Sequence, residues 1–218
     1  MARTPTSRLT AVALLTTTAL GTAHAGRPLS VDDAGTNARG EGHVEAWASR
    51  SRGATTWNLS PAYAIADGLE ISATASRDTT NRITGTAAQL KWLATPSREA
   101  GCNVGLSGGG ARSSGGGASE RAAFVNGIVT CNGAWGSVHA NLGANRPSGE
   151  SASRTWGVAL ERPVRHITPH VEWFGAKGSK PTVQVGARGD IAKNLQLDGT
   201  YGRSDGESLY SLGVKLRF

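Results

Sequence analysis

The last nine residues of the chain alternate strictly between apolar and polar side chains. Ser211, Gly213, Lys215 and Arg217 separate an apolar series that ends on the final residue. Successive side chains of a β-strand point to opposite sides, so this pattern predicts a strand with two unlike faces. A soluble sheet can show the same alternation, but a strand that ends the chain on Phe is typical of bacterial outer-membrane barrels. The predicted membrane-insertion signal is Tyr210, Leu212, Val214, Leu216 and Phe218.

The same two-residue period recurs through the chain. Twelve segments each have one face without charge, and charged side chains occupy the opposite face. A Lys or Arg that faces lipid at mid-bilayer costs about 2–4 kcal/mol, whereas the interior of a barrel tolerates it. The sequence therefore predicts an all-β fold, a transmembrane antiparallel up-and-down barrel of about 12 strands over residues 43–218. The segments lie near residues 43–50, 56–65, 69–77, 83–93, 102–111, 121–131, 134–144, 154–162, 167–175, 181–189, 195–203 and 208–218.

Composition is consistent with this fold, although at first sight it suggests a soluble protein. Gly accounts for 30 of the 218 residues and hydrophobic residues for only 38%. A barrel explains both values, because only every second strand residue meets lipid. Aromatic residues are predicted to form two belts at the membrane interfaces; the alternative is that the Trp side chains anchor the core of a soluble β-sandwich. The belts comprise Trp57, Trp156, Trp173, Tyr201 and Tyr210 at the outer end, and Tyr63, Trp92 and Phe218 at the inner end.

The first 25 residues have the features of a secretory signal peptide. Arg3 and Arg8 precede a mildly apolar stretch, and Ala23-His24-Ala25 is a small-x-small cleavage site. Cleavage after Ala25 would leave a periplasmic N-terminal segment, residues 26–42, ahead of the barrel. The predicted location is the bacterial outer membrane, and the predicted state is a monomer. The expected partners are the barrel-assembly machinery and outer-membrane lipid or lipopolysaccharide, which Arg112 and Lys180 would meet.

The connections between segments predict the orientation. With both termini in the periplasm, odd-numbered connections should be long and extracellular and even-numbered ones short. Residues 111–120, 145–153 and 176–180 fit the first class, and residues 66–68, 163–166 and 190–194 the second. Asn132-Gly133 is a strong two-residue hairpin signal. Residues 94–101 are long for an even-numbered connection.

The two cysteines fall on neighbouring predicted strands. If those strands pair about the Gly-rich loop, Cys102 lies opposite Cys131 and Val104 lies opposite Val129. Directly opposed residues have the short Cβ separation that a disulfide requires. We expect this disulfide in an oxidising periplasm; the alternative is two free thiols. Two cysteines cannot form a zinc-ligand set.

The start of the mature chain resembles a known family. Arg27-Pro28-Leu29-Ser30-Val31-Asp32-Asp33-Ala34, followed by Gly42-His43-Val44-Glu45-Ala46-Trp47, is similar to the opening of the outer-membrane proteins labelled "MetA-pathway of phenol degradation". Val31 replaces their usual Thr. Val183-Gln184-Val185-Gly186, Tyr201-Gly202 and Leu212-Gly213 resemble the last strands of that family. The resemblance implies an outer-membrane barrel and uptake of aromatic or other small hydrophobic solutes, and it supplies no catalytic residues.

Ten polar residues are predicted to line the lumen. Charges of both signs occur among them, so two interpretations stay open: a polar network that fills a closed barrel, or a selective pathway for small solutes. Asp32 and Asp33 can cap or plug the periplasmic mouth, but two carboxylates fall short of a calcium site. No metal site or cofactor is predicted. The candidates are Glu45, Glu70, Lys91, His139, His170, Glu172, Arg188, Asp198, Lys215 and Arg217.

Three function classes follow from these observations. The first is a channel or transporter for small solutes, and the second is a closed barrel with a structural or surface-interaction role. The least favoured is an outer-membrane lipid hydrolase that would use Ser107 or Ser137 with His139 or His170; no motif fixes that geometry, so we predict no enzyme. Nucleic-acid binding is not predicted, because the basic residues are dispersed among acids without stacking aromatics.

Overall fold

A computed structural model describes residues 29–115 and 117–218, so the predicted signal peptide lies outside the described residues. These residues form a closed barrel in which each strand pairs with its neighbours along the chain and β1 pairs with β12. Every pairing is antiparallel, which confirms the predicted up-and-down barrel of twelve strands. The strands are β1 (Gly42–Ser51), β2 (Ala54–Ala66), β3 (Leu69–Asp78), β4 (Ile83–Leu93), β5 (Gly101–Gly115), β6 (Ala118–Gly133), β7 (Gly136–Pro147), β8 (Ser153–Glu161), β9 (Thr168–Ala176), β10 (Thr182–Ala192), β11 (Leu195–Ser204) and β12 (Glu207–Arg217).

The two faces of the barrel wall differ as the alternation predicts. In β12, Leu212 is 73% exposed while Ser211 and Gly213 on either side of it are buried. The outer face is therefore apolar over most of its height and the interior polar. The prediction of an uncharged outer face is wrong at the end of the barrel away from Phe218, where Arg50, Arg77, Arg121, Arg154 and Arg203 point outward. None of the described residues forms a helix long and apolar enough to span a bilayer.

The outward-facing aromatic residues lie near the two ends of the barrel. We call the end where β1 begins and β12 ends the terminal end, and the opposite one the distal end. Trp156 and Trp173 lie edge to face near the distal end, with ring centroids 4.9 Å apart. Tyr201 and Tyr210 pair across β11 and β12 at 5.2 Å. Trp92 is half-exposed at the terminal end of β4. Offset and edge-to-face pairs of this kind are favourable for aromatic rings.

The expected alternation of long and short connections is wrong. The Gly-rich stretch that was predicted to be a long loop continues as strand, and β5 and β6 meet around Gly117, whose φ of +84° suits glycine. The connection at residues 94–100 at the terminal end is longer than the β5–β6 turn. Gly109 and Gly115 allow the ladder to continue here, because a Cβ atom at either position would lie too close to the backbone of Ala88 or of Arg82 and Ile83.

The hairpin predicted at Asn132-Gly133 is displaced by two residues. Both residues belong to β6, and Gly133 pairs with Gly136 across a turn at residues 134–135. Gly136 has a φ of +132°, which glycine tolerates. A Cβ atom on Gly133 would lie 2.7 Å from the Trp135 ring nitrogen. The glycine is therefore needed for the close approach of Trp135.

The cysteine prediction is confirmed. Cys102 and Cys131 are directly opposed in the β5–β6 register and form a disulfide with a sequence separation of 29 residues. Val104 lies opposite Val129 and Leu106 opposite Gly127, as the predicted register requires.

Removal of this disulfide is expected to destabilise the protein by up to about 3–4 kcal/mol, because the bond restricts the unfolded chain over a loop of that length. The double variant C102S/C131S should unfold at lower denaturant concentration than the parent, while reduced parent should match the variant. Titration of unreduced, denatured parent should detect no free thiol. Equal midpoints for parent and variant would contradict the expected stabilisation.

Candidate functional site

An N-terminal segment, residues 29–41, lies inside the barrel and crosses its lumen. Ser30 contacts β9 and β10, Asp32 contacts β7 and β4, and Ala34 contacts β6. Asn37 reaches Glu70 on β3, after which Gly40 pairs with Ala64 at the end of β2 and the chain enters β1. The segment thus links opposite walls, from the middle of β9 at Ser30 to the terminal end of β3 at Asn37. Residues 29–41 belong to the stretch for which the sequence predicts a periplasmic N-terminal segment.

Polar side chains of the wall hold the backbone of this segment. One Glu172 carboxylate oxygen accepts hydrogen bonds from the backbone N–H groups of Ser30 (2.6 Å) and Val31 (2.7 Å), and Gln184 donates to the other at 2.5 Å. Asn141 accepts from the Asp32 N–H at 2.6 Å and donates to the Asp32 carbonyl at 2.8 Å. An extended segment without a strand partner would otherwise leave buried peptide groups unpaired, which is costly.

A buried ion pair joins the segment to β4. Lys91 Nζ lies 2.7 Å from Asp32 Oδ1 and 3.9 Å from Asp33 Oδ1. Asp32 is fully buried, and the Lys91 side chain is only 5% exposed. Removing one partner of such a pair leaves an uncompensated charge in a desolvated site. The docked position of the segment therefore depends on the positive charge of Lys91.

An apolar niche receives Val31. Val31 and Leu29 pack against Ala159 of β8, with Phe174 of β9 beside them. A Cβ atom on Gly157 would lie 2.7 Å from Val31 Cγ2. Glycine at position 157 therefore leaves the space that the Val31 side chain fills.

A hydrogen-bonded chain continues from the segment into the wall. The Ala34 N–H donates to the Thr130 hydroxyl at 2.9 Å, and that hydroxyl lies 2.9 Å from His139 Nδ1. His139 Nε2 is 3.3 Å from Glu161, which also accepts from Arg188 at 2.9 Å. Neither Ser107 nor Ser137 hydrogen-bonds to His139, because Thr130 and Glu161 occupy both ring nitrogens. The Ser–His pairing that a hydrolase would need is therefore not formed at His139.

A cavity of about 190 Å³ lies beside the segment, against β1–β4 and β12. Two contacts organise its charges: Lys215 pairs with Glu45 at 3.0 Å, and Asn37 donates to Glu70 at 2.7 Å. The His43 ring lies 3.6 Å from Glu45 and 2.8 Å from Asn37. Acidic, basic and amide groups thus surround one water-accessible space. Its lining includes Asp33, Asn37, His43, Glu45, Ser60, Glu70, Ser72, Gln89, Lys91 and Lys215.

All the predicted lumen residues occupy inward-facing strand positions, and they fall into separate groups. Four of them, Glu45, Glu70, Lys91 and Lys215, line the cavity. His170 lies 3.8 Å from Glu172, which accepts a hydrogen bond from the start of the segment. Asp198 is buried at a register position opposite Arg188, and Arg217 pairs with Asp190 at 3.0 Å near the terminal rim. Whether any of them contacts a permeating solute stays a prediction.

Sequence reasoning missed the wall residues that hold the segment. Asn141, Thr130, Gln184 and Gly157 are inward-facing, but each is an ordinary strand residue in the sequence. Their role arises only where strands from distant parts of the chain face the same stretch of residues 30–34.

The two halves of the interior differ in polarity. Most of its charged residues lie in the terminal half, whereas small and hydroxyl side chains are the more common in the distal half. The small and hydroxyl side chains include Ser49, Ser76, Ala87, Ala111, Thr155 and Thr200.

Ion pairs also link the turns at the distal rim. Lys180 Nζ lies 2.7 Å from Asp205 in the β11–β12 turn, and Arg52 lies 3.7 Å from the same carboxylate. The hydrogen bond between Lys180 and Asp205 raises the pKa of Lys180 and lowers the pKa of Asp205. Both groups are solvent-exposed, so this contact adds little stability.

The largely apolar outer wall and the charged, partly filled interior define a transmembrane β-barrel. The chain belongs to the family described as "Uncharacterised conserved protein UCP029691", whose model matches residues 11–218. That description differs from the label of the phenol-degradation family, so membership of the latter stays a prediction. No curated protein sequence matches the chain significantly. No group of three or more potential metal ligands comes together in residues 29–115 and 117–218.

Solved structures share the fold at low sequence identity. The "KdgM porin in complex with disordered oligogalacturonate" has a TM-score of 0.66 and 14% identity, covering 81% of this chain and 99% of that one. The "COG4313 outer membrane channel from Pseudomonas putida F1" has a TM-score of 0.58 and 11% identity, covering 84% and 97%. Omp33 of Acinetobacter baumannii has a TM-score of 0.56 and 10% identity, covering 84% and 100%. At these identities the likeness concerns the fold.

Proposed function

We propose that the protein is an outer-membrane channel for small hydrophilic solutes, with a lumen that its own N-terminal segment narrows. The observation that carries this proposal is the charged cavity beside the segment. We expect a barrel that served only as a rigid scaffold to fill this space with side chains, whereas here polar groups line a space that water can enter. The barrel size also supports the proposal, since twelve strands fall between filled eight-stranded barrels and open sixteen-stranded pores.

The lining groups favour solutes that carry charge. Lys91 is committed to the buried pair with Asp32, so Lys215, which is 16% exposed beside Glu45, is the lining cation that can attract a carboxylate. Glu45 and Glu70 can accept hydrogen bonds from hydroxyl or amino groups. The resemblance noted in the sequence implies aromatic or hydrophobic solutes, but an uncharged hydrophobic molecule would desolvate these groups at a cost. Small aromatic carboxylates satisfy both considerations, and they are the substrate class that we propose.

Reconstitution of the mature protein in liposomes and planar bilayers tests this function. We expect discrete conductance steps, and faster uptake of benzoate than of an uncharged sugar of similar size. The K215M variant should lose part of the preference for benzoate, while K180M, which changes an exposed lysine at the distal rim, should keep it. Absence of conductance from both the mature protein and a variant without the segment would overturn the channel proposal.

A closed barrel with a structural or surface role is the second candidate, and the course of the segment across the lumen favours it. It predicts no conductance at any voltage or salt concentration. Hydrolysis has less support: the Thr130 hydroxyl, which contacts His139, is buried and accepts a hydrogen bond from the segment, so it does not face the membrane. Release of fatty acid from lipid by the pure protein would reverse this conclusion.

A further inference from the structure

Near the distal end, the charged side chains that point outward from the strands are arginines. Seven arginines point outward there from the strands, and each is exposed. The carboxylates of this end either point inward, as Asp78 and Glu120 do, or lie in turns, as Glu150 and Asp205 do. The strands therefore present one sign of charge to the surroundings of the barrel. The seven are Arg50, Arg77, Arg112, Arg121, Arg146, Arg154 and Arg203.

Four of them form a continuous cluster across β5–β8, which we call the arginine cluster: Arg112, Arg121, Arg146 and Arg154. Arg112 is directly opposite Arg121. Arg146 is opposite Ala123 and Arg154 is opposite Ala144, so each lies diagonal to the preceding arginine. Directly opposed residues on one face lie about 4.5–5.5 Å apart and diagonal ones about 7–8 Å, well within the reach of arginine side chains.

The cluster is electrostatically uncompensated within the described part of the chain. Ion pairs there involve Arg52, Arg188 and Arg217 but none of the four clustered arginines. Arg112 Nε donates to the Ser119 hydroxyl at 3.2 Å, a neutral partner. Like charges directly opposite each other on a sheet are destabilising. This surface is therefore expected to gain stability from an external anion.

The position of the cluster indicates what that anion is. Arg154 precedes Trp156 of the distal aromatic belt by two residues on the same outward face of β8, so its guanidinium lies beyond the belt, at headgroup level. The terminal end differs, because its basic residues Arg98, Arg162, Arg165 and Lys193 lie in turns and its outward strand positions are apolar. The barrel therefore presents a basic surface to the headgroups of one leaflet and an apolar strand surface to the other leaflet. A guanidinium pairs with phosphate oxygens through two parallel hydrogen bonds.

We propose that the arginine cluster binds the phosphate groups of the phosphorylated glycolipid of the outer leaflet. Several phosphates on one lipid can engage neighbouring arginines at once, which a headgroup with a single phosphate cannot do. This proposal rests on the proposed residence in the outer membrane, with the distal end outside. It does not depend on conduction through the lumen.

Thermal unfolding of the mature protein in neutral detergent, with and without purified bisphosphorylated lipid A, tests the proposal. The glycolipid should raise the unfolding midpoint of the parent. The R112Q/R121Q/R146Q/R154Q variant should require at least about tenfold more lipid for the same shift, since one lost charge-assisted contact of 1.4 kcal/mol corresponds to that factor. Without lipid, this variant should unfold no earlier than the parent, because the substitutions relieve repulsion, and this arm excludes a folding defect.

A matched control changes four basic residues at the other end. The R98Q/R162Q/R165Q/K193Q variant should respond to lipid A as the parent does. An unchanged response of the cluster variant would overturn the proposal, as would an equal shift of the parent with phosphatidylglycerol or with dephosphorylated glycolipid. The assay does not measure conductance, so its outcome is separate from that of the channel proposal.

Discussion

Deletion of residues 29–38 is expected to raise the single-channel conductance of the barrel severalfold and to make the open state persistent. This stretch crosses the lumen from Ser30 at β9–β10 to Asn37 at β3, so it obstructs a path along the barrel axis. The barrel should still close without it, because β1 pairs with both β2 and β12 through its own backbone. Planar-bilayer recordings of parent and deletion variant check the expectation.

Addition of one methyl group at Gly157 tests the same role of the segment without deleting it. In G157A the new Cβ would lie 2.7 Å from Val31 Cγ2 and 3.1 Å from Phe174 Cβ. Because such contacts are too short, we expect the substitution to displace Val31 and increase the time spent in the open state. The double variant V31A/G157A should restore parental behaviour, since removal of the Val31 methyl groups relieves the overlap.

The matched control is G110A. A Cβ atom at position 110, which faces outward, would lie 3.7 Å from the Ala122 carbonyl oxygen, an ordinary contact. G110A should therefore conduct as the parent does. If the deletion variant and G157A both show parental conductance, the N-terminal segment does not restrict the lumen, and the proposed role of the segment is wrong.

The barrel wall was predictable from the sequence because its physics is local and repetitive. Every second residue of a strand must avoid charge to face lipid, so the placement of Glu45, Glu172 and Lys215 already identifies the inner face. Opposed cysteines fix the β5–β6 register, since only one register brings Cys102 to Cys131. These constraints act at many positions at once, which makes the strand assignment robust to errors at single residues.

The interior was less predictable because it depends on contacts between distant parts of the chain. The hydrogen bond from the Ser30 N–H to Glu172 spans 142 residues, and residues 29–34 have no strand period that would predict a partner. Asp32 and Asp33 suggested a cap at the periplasmic mouth, but the sequence does not indicate Lys91 as their partner. The turns were predicted incorrectly for a different reason. Glycine can indicate either a loop or a close backbone approach, and at Gly109, Gly115 and Gly133 it serves the close approach.

Replacement of Lys91 by Met is expected to release the segment from the wall. Lys91 compensates the fully buried carboxylate of Asp32, and loss of one partner of a buried ion pair costs about 3–5 kcal/mol. This loss destabilises the docked segment relative to a released one, because release returns Asp32 to water. K91M should therefore conduct more than the parent, and its residues 29–41 should be cleaved faster by added protease. The double variant D32N/K91M should recover much of the closure, because it removes the uncompensated charge.

The exposed pair at the distal rim provides the control for this prediction. Lys180 and Asp205 are also 2.7 Å apart, but the Lys180 side chain is 76% exposed, against 5% for Lys91. Because solvent screens an exposed pair, K180M should change neither conductance nor protease sensitivity. If K91M and K180M changed conductance and protease sensitivity equally, burial would not determine how strongly these two ion pairs contribute. Full closure in K91M would show instead that the hydrogen bonds from Glu172 and Asn141 hold the segment without the ion pair.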